Sequence, residues 1–219
     1  FVEEMTQKVL AKVQAAPLSE PAQSLPSTTT DLKLILADPS NFQPKPEDLP
    51  WRGEYTVPGA DWAGPNTNDQ IMITWDDAVL AREYLAETGR VTGYITYYQR
   101  GNTSVPLPQE LGCAAAQYLT AEGAQKSITV YTAKLRSSDK GWVSADVTQE
   151  LGDVSSAYYL EELDSGGNTT IQYWVSTTHL NYMVECFGWG AKAYVTSELV
   201  EDLVQKVLAK VQAAPVNEP

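Results

Sequence analysis

The chain has 219 residues, of which 43% are hydrophobic and 20% are charged, a composition typical of one globular domain with a substantial core. Its formal net charge at pH 7 is −13, and because such a surface repels phosphate groups, we expect neither nucleic acid nor an anionic membrane surface as a partner. No apolar run approaches the roughly 20 residues of a membrane-spanning helix, so we expect no membrane span in this segment.

The two ends of the chain carry closely similar sequences. Residues 1–21 align with residues 199–219, and the run from Gln7 to Pro17 is repeated letter for letter from Gln205 to Pro215. A long identity at a fixed offset is typical of tandem duplication. We therefore expect one unit of about 198 residues from a longer array, preceded by the end of the unit before it.

Each copy is predicted to form an amphipathic helix, over residues 1–14 and 198–212, because apolar residues recur at intervals of three and four. An isolated helix of about 14 residues is marginal in water, so the apolar stripe of the first copy should pack on a preceding unit, a neighbouring chain or this domain. The alternative is a loosely ordered helix at the start of a fragment. The predicted interface consists of Phe1, Val2, Met5, Val9 and Val13.

Residues 15–31 are predicted to form an extended linker, because prolines are interspersed there with serine and threonine. Such tracts are typical of exported surface proteins. The domain itself is expected to span residues 32–212, and residues 213–219 should begin the next linker.

Hydrophobic periodicity predicts the elements of the domain in turn. Residues 32–36 should form a short strand or turn, and an irregular proline-rich segment follows. Ile71–Trp75 should form a brief strand, and Asp76–Thr88 a helix that ends at Gly89. Longer strands are predicted over residues 91–99, 112–119, 155–162, 170–176 and 180–187.

A second internal helix is predicted over residues 124–135, and Gly188–Gly190 should end the last strand before the terminal helix. This order of elements predicts an α+β fold, in which helices cover one face of an antiparallel sheet of about five or more strands. The N-terminal helix and the proline-rich linker would be additions to that fold.

Three stretches are informative about the family: Gly93-Tyr94 with Tyr97-Tyr98-Gln99, the stretch from Tyr118 to Ala124, and Leu151-Gly152-Asp153-Val154. They resemble stretches of PsbP-like domains and of sensor domains of the kinase-ectodomain type. The resemblance covers roughly residues 31–211. It implies an α+β fold and a bacterial exported module that is mostly non-catalytic, although the two cysteines and the long proline-rich start depart from these domains.

The only two cysteines, Cys113 and Cys186, both fall in predicted strands. In an exported protein an even number of cysteines indicates a disulfide, and closing so long a loop would stabilise the fold by about 4–5 kcal/mol. The alternative is two buried thiols that pack as small hydrophobic side chains.

No recognisable catalytic or cofactor motif is present. His179 is the only histidine and is expected in an exposed turn, and the nucleophile-elbow, dinucleotide-binding and phosphate-loop motifs are missing. Acidic clusters at residues 61–69 and 161–164 lack the spacing of a calcium-binding loop, and we interpret them as solvated loops. We therefore expect no enzymatic activity, no metal site and no cofactor.

Trp51, Trp62 and Trp189 lie in segments rich in proline and glycine. Tryptophan suits wet interfaces, so these three form a candidate contact surface for a neighbouring protein or a glycan. The alternative is that they pack in the core and on the sheet.

The sequence predicts a non-enzymatic, exported structural or interaction module. It would be one unit of a tandem-repeat surface or filament-forming protein, joined head to tail through the repeated helix. Its partners would be copies of itself, neighbouring repeat units or a glycan, at the cell surface or in the extracellular space. The alternative is an extracellular ligand- or carbohydrate-binding sensor domain, which a concave pocket lined by the three tryptophans would favour.

Overall fold

The computed structural model of the protein describes residues 33–51, 54–57, 63–75, 77–101, 106–136, 141–164 and 166–217. The predicted helix of residues 1–14 and the linker of residues 15–31 lie outside this described part. The domain that follows has the predicted α+β fold.

Ten strands are present in the described residues, and most of them belong to one sheet. They are β1 (Leu34–Ile35), β2 (Tyr55–Thr56), β3 (Ala63–Pro65), β4 (Arg90–Arg100), β5 (Glu110–Tyr118), β6 (Val143–Ala145), β7 (Ser155–Leu163), β8 (Thr169–His179), β9 (Tyr182–Ala191) and β10 (Val216–Asn217). Eight of them form an antiparallel sheet of order β2-β4-β5-β9-β8-β7-β6, and β3 also pairs with β4. The remaining two, β1 and β10, form a separate antiparallel pair.

Five α-helices accompany these strands in the described part. They are α1 (Asn68–Thr74), α2 (Ala78–Thr88), α3 (Ala121–Lys126), α4 (Ala133–Arg136) and α5 (Ser197–Gln212). A π-helical turn, Ser127–Thr132, joins α3 to α4, and two 3-10 turns, Pro39–Phe42 and Pro46–Asp48, shape the proline-rich segment. None of the described helices is long and apolar enough to span a bilayer.

One face of the sheet, which we call the core face, packs against α5. Side chains alternate across a strand, so β5 directs Cys113 and Ala115 into the same buried cluster as the apolar side chains of α5. Burying each such helix side chain contributes roughly 1.5–3 kcal/mol. The buried stripe of α5 consists of Val200, Leu203, Val204, Val207, Leu208 and Val211.

A carboxylate is buried within this apolar stripe. Glu201 has no exposed surface, and it accepts hydrogen bonds from Thr148 N at 3.0 Å, Thr148 Oγ1 at 2.8 Å and Gln149 N at 2.9 Å. Burying a charge is costly unless hydrogen bonds replace its water. These donors offset that cost and bind the segment between β6 and β7 to α5.

The opposite face of the sheet, the second face, is covered in part by the other helices. Ala116 on β5, Tyr84 on α2 and Ala124 on α3 share a second buried cluster with Ile71, Ala81, Tyr118 and Tyr131. Helices therefore lie on both faces of the sheet, and the expectation that they cover one face only was wrong.

Two local predictions were also wrong. Ile71–Trp75 was expected as a strand, but these residues belong to α1 and its C-terminal cap, because Thr67 and Gln70 form a capping box that starts a helix. Gly188–Gly190 does not end β9, which continues to Ala191. Gly190 has a φ of 152°, and a Cβ there would lie 2.8 Å from Gln109 N, so this glycine allows a neighbouring backbone to approach.

Candidate functional site

A cleft of about 530 Å³ lies on the second face of the sheet, against the helices of that face. Its floor includes Ile95, Ala114 and Glu185, which stand opposite one another on β4, β5 and β9. Ala116, the next residue of β5 on the same face as Ala114, is also part of the lining. Alanine side chains on two adjacent floor positions leave room above the sheet, and this is the reason why a cleft forms here.

One wall of the cleft is aromatic. Trp75 stacks on Tyr84 with ring centroids 4.7 Å apart, and Tyr84 meets Tyr131 edge-on at 5.4 Å. The hydroxyls of Tyr84 and Tyr118 are 2.7 Å apart, and burial raises the pKa of both groups. Both phenols therefore stay protonated and uncharged at neutral pH.

The second wall centres on Arg136, the last residue of α4. Its guanidinium carbon lies 4.3 Å from the ring centroid of Trp142 and 4.3 Å from that of Trp174. Trp174 is in turn stacked on Phe187, with centroids 4.5 Å apart. Cation–π contacts of this kind stabilise a partly desolvated guanidinium. Burial lowers the pKa of Arg136, and the nearby negative charge of Glu185 opposes that shift.

Several buried donors in the cleft lining are unpaired. Among the described residues, Arg136 Nε, Arg90 Nε and Trp174 Nε1 are buried and have no hydrogen-bond partner. An unsatisfied buried donor costs about 1–3 kcal/mol, and such groups in native proteins normally meet a ligand or ordered water. Three of the residues that line this one cleft therefore carry a buried N–H group that a ligand or an ordered water could satisfy.

Glu185 supplies a carboxylate to the same cleft. It lies on β9 directly opposite Ser176, whose Oγ donates to Glu185 Oε2 at 2.7 Å. The lining also contains Gln172 and Glu162. The cleft therefore combines an anchored acceptor, a cation held by two indoles and an aromatic wall, which is the usual composition of a small-molecule site.

The predicted tryptophan surface lies elsewhere. Trp51 is 44% exposed and its ring is 6.5 Å from that of Tyr55, while Trp189 is a partly buried residue of β9. Neither lines the cleft, and Trp62 lies outside the described residues. The tryptophans of the cleft are instead Trp75, Trp142 and Trp174.

The two cysteines are joined by a disulfide between adjacent strands. Cys113 on β5 and Cys186 on β9 stand opposite each other on the core face, with Cα atoms 4.1 Å apart. Their alternative interpretation as free thiols does not hold in this structure. The predicted interface of Phe1, Val2, Met5, Val9 and Val13 lies outside the described residues.

The remaining polar residues considered in the sequence have local partners. His179 lies at the end of β8, with Nδ1 3.8 Å from Asp153 Oδ1, rather than in an open turn. Asp164 accepts from Gly166 N and Asn168 N within its own turn, and Glu161 pairs with Lys192 at 2.6 Å. In the described part of the chain, no three acidic, histidine or cysteine residues are grouped as metal ligands would be.

Comparison with known proteins gives a remote structural neighbour. No protein-family model matches the chain, and no curated protein matches it. The chain is similar to the extracellular domain of PknH from Mycobacterium tuberculosis, with 13% sequence identity, coverage of 68% of this chain and 77% of that chain, and a TM-score of 0.46. The likeness to this extracellular domain is confined to a loose similarity of fold.

Proposed function

We propose that the chain is a non-enzymatic extracellular domain that binds a small organic molecule in the cleft of the second face. The observation that carries this proposal is the set of buried, unpaired donors on Arg136, Arg90 and Trp174 around one concave space. Ligand sites are typically clefts with apolar walls and a few convergent polar groups. The cleft matches that description in volume and in lining.

An extracellular location is supported by the disulfide. Structural disulfides persist in oxidising compartments and are rare in the cytosol, and the Cys113–Cys186 bond is buried between two central strands. The proline-rich linker of residues 15–31 is a further compositional sign of an exported protein.

Binding, rather than catalysis, is supported by the way in which the reactive side chains are occupied. Cys186 is consumed in the disulfide, and His179 lies beside Asp153. Glu185 is the carboxylate of the cleft floor, and its Oε2 is held by Ser176. A general base must be free to take a proton from the substrate. The Glu185 carboxylate, held by Ser176, is better suited to accept a hydrogen bond from a bound ligand.

The test fills the cleft and leaves the fold intact. Ala114→Leu should place a larger side chain on the floor, and Ala86→Leu makes the same change at an exposed position of α2. Binding of a fragment library to the purified protein is followed by ligand-observed NMR. We expect hits that are lost in Ala114→Leu and retained in Ala86→Leu; a wild-type protein without hits, or hits that survive Ala114→Leu, would contradict the proposal.

A second function, head-to-tail association through residues 1–14, is favoured by the duplication. The predicted interface residues Val2, Val9 and Val13 align with Val200, Val207 and Val211, and each of those three has no exposed surface in α5. The same stripe in the first copy is therefore suited to a sheet face like the one that α5 covers. Filament formation itself remains a prediction.

Association is tested by changing Met5 and Val9 to aspartate and following assembly by light scattering. Charges in the apolar stripe should abolish any assembly of the wild-type chain. Lys8→Asp, in the same segment but outside the stripe, is the control. A strictly monomeric wild-type chain, or assembly that persists in the double variant, would contradict head-to-tail docking.

A further inference from the structure

The guanidinium of Arg136 is the least satisfied charged group of the cleft. Arginine has five N–H donors, yet no hydrogen bond or ion pair joins this guanidinium to another described residue. The other arginine of the lining differs, because Arg90 donates to Asn68 Oδ1 at 2.9 Å and to Asn66 O at 2.6 Å. The terminal nitrogens of Arg90 are thus occupied by hydrogen bonds, whereas in the described part of the chain no hydrogen bond holds the guanidinium of Arg136.

The position of Arg136 is fixed by aromatic rings rather than by hydrogen bonds. Trp142 and Trp174 contact the guanidinium through their ring faces, and Trp174 is itself held by Phe187. Cation–π contacts stabilise the charge and consume none of the N–H groups. A guanidinium held in this way is pre-organised for a planar oxyanion, which it can bind through two parallel hydrogen bonds.

The acidic residues of the lining limit which anions could bind to Arg136. The negative charge of Glu185 raises the pKa of Arg136. The two side chains form no ion pair among the described residues, and Glu185 accepts a hydrogen bond from Ser176 instead. A doubly charged phosphate would be repelled by Glu185 and Glu162, which both line the cleft. A singly charged carboxylate is repelled less, and a hydroxyl on the same molecule can donate to Glu185.

We infer that the cleft binds a hydroxylated monocarboxylate, with its carboxylate on Arg136 and a hydroxyl towards Glu185. This inference rests on the proposed ligand-binding function and specifies the chemical class of the ligand. The cleft of about 530 Å³ accommodates either a sugar acid or an aromatic hydroxy acid.

The experiment compares two acids with their neutral counterparts on the whole chain. Glucuronate is paired with glucose, and 4-hydroxybenzoate with 4-hydroxybenzamide, and binding is followed by calorimetry and by the NMR signal of Arg136 Nε–H. We expect at least one acid to bind and to shift that signal, and its neutral counterpart to bind about tenfold more weakly or less, since charge-assisted bidentate hydrogen bonds are lost. Binding of glucuronate would indicate a sugar acid as the ligand, and binding of 4-hydroxybenzoate would indicate an aromatic hydroxy acid.

Variants separate the role of Arg136 from general effects of charge. Arg136→Gln should weaken binding of the acid about tenfold or more, and Arg136→Lys, which keeps the charge but loses the planar donors, should weaken it by less. Arg82→Gln makes the same substitution at an exposed position of α2 and should leave the affinity unchanged. The melting temperature of each variant shows that it is folded.

The outcomes distinguish this inference from the proposal on which it rests. If the neutral molecules bind as tightly as the acids, and Arg136→Gln binds like the wild type while Ala114→Leu does not bind, the cleft is a ligand site but not for a carboxylate. If neither acid binds, the assignment of the ligand class is overturned, and the fragment screen decides separately whether the cleft binds any small molecule.

Discussion

The buried carboxylate of α5 gives the sharpest prediction for stability. Replacing Glu201 by alanine removes the acceptor for Thr148 N, Thr148 Oγ1 and Gln149 N and leaves a cavity beside the core. Each donor that loses its partner costs about 1–3 kcal/mol when it stays buried. Thr148 is on an exposed segment and can turn to water, so we expect a loss of about 3 kcal/mol in the free energy of unfolding rather than the full sum.

Urea unfolding followed by circular dichroism measures this loss. The matched control is Glu198→Ala, because Glu198 lies in the exposed first turn of the same helix, where solvent screens its interaction with the helix dipole and its contribution should be small. Glu201→Gln should fall between the two, since an amide keeps one acceptor oxygen. If Glu201→Ala costs no more than Glu198→Ala, the hydrogen bonds to Thr148 and Gln149 do not stabilise the fold.

Two further predictions concern the disulfide and an ion pair. Replacing Cys113 and Cys186 together by alanine removes a crosslink that spans 73 residues and should lower the free energy of unfolding by about 4 kcal/mol, as measured by urea titration; a loss below about 1 kcal/mol would contradict this. Hydrogen bonds from Lys210 and from the Lys45 amide hold the pKa of Asp48 below its usual 3.8, so its stabilising effect is complete above about pH 4 and is lost as the pH falls through the lowered pKa. Asp48→Asn should therefore destabilise the protein at pH 7 and destabilise it less as the pH falls below 3.8, and an equal loss at pH 7 and at low pH would refute the assignment.

The long strands could be predicted from the sequence because their side chains alternate over many residues. The pattern from Tyr94 to Gln99 and the run around Trp174 indicate sheet without knowledge of any partner strand. The short strands β2, β3 and β6 contain two or three residues each, which is too few for a period to be visible. In α1 and its C-terminal cap, isoleucine and tryptophan favour a strand, but the capping box formed by Thr67 and Gln70 outweighs that preference.

The cleft could be predicted only in part. Trp174 sits in an alternating strand next to a buried tyrosine, so its position on the opposite face follows from the pattern alone. The contact of Arg136 with Trp142 and Trp174 could not be predicted, because it joins a helix end, a loop and a strand whose proximity depends on the sheet order. The sequence drew attention instead to tryptophans near glycine and proline, which is a signal of loops rather than of a shared cavity.

The side chains of β9 alternate between the core and the lining of the cleft. Val184 and Cys186 belong to the core cluster, whereas Glu185 between them belongs to the cleft floor. Neighbouring residues of one strand therefore face different parts of the molecule, and a substitution at Glu185 or at Ala114 alters the cleft lining and leaves the contacts of α5 in place. Because the Cys113–Cys186 crosslink joins the two floor strands from the core side, the lining of the cleft can be changed one side chain at a time on a sheet that stays covalently linked.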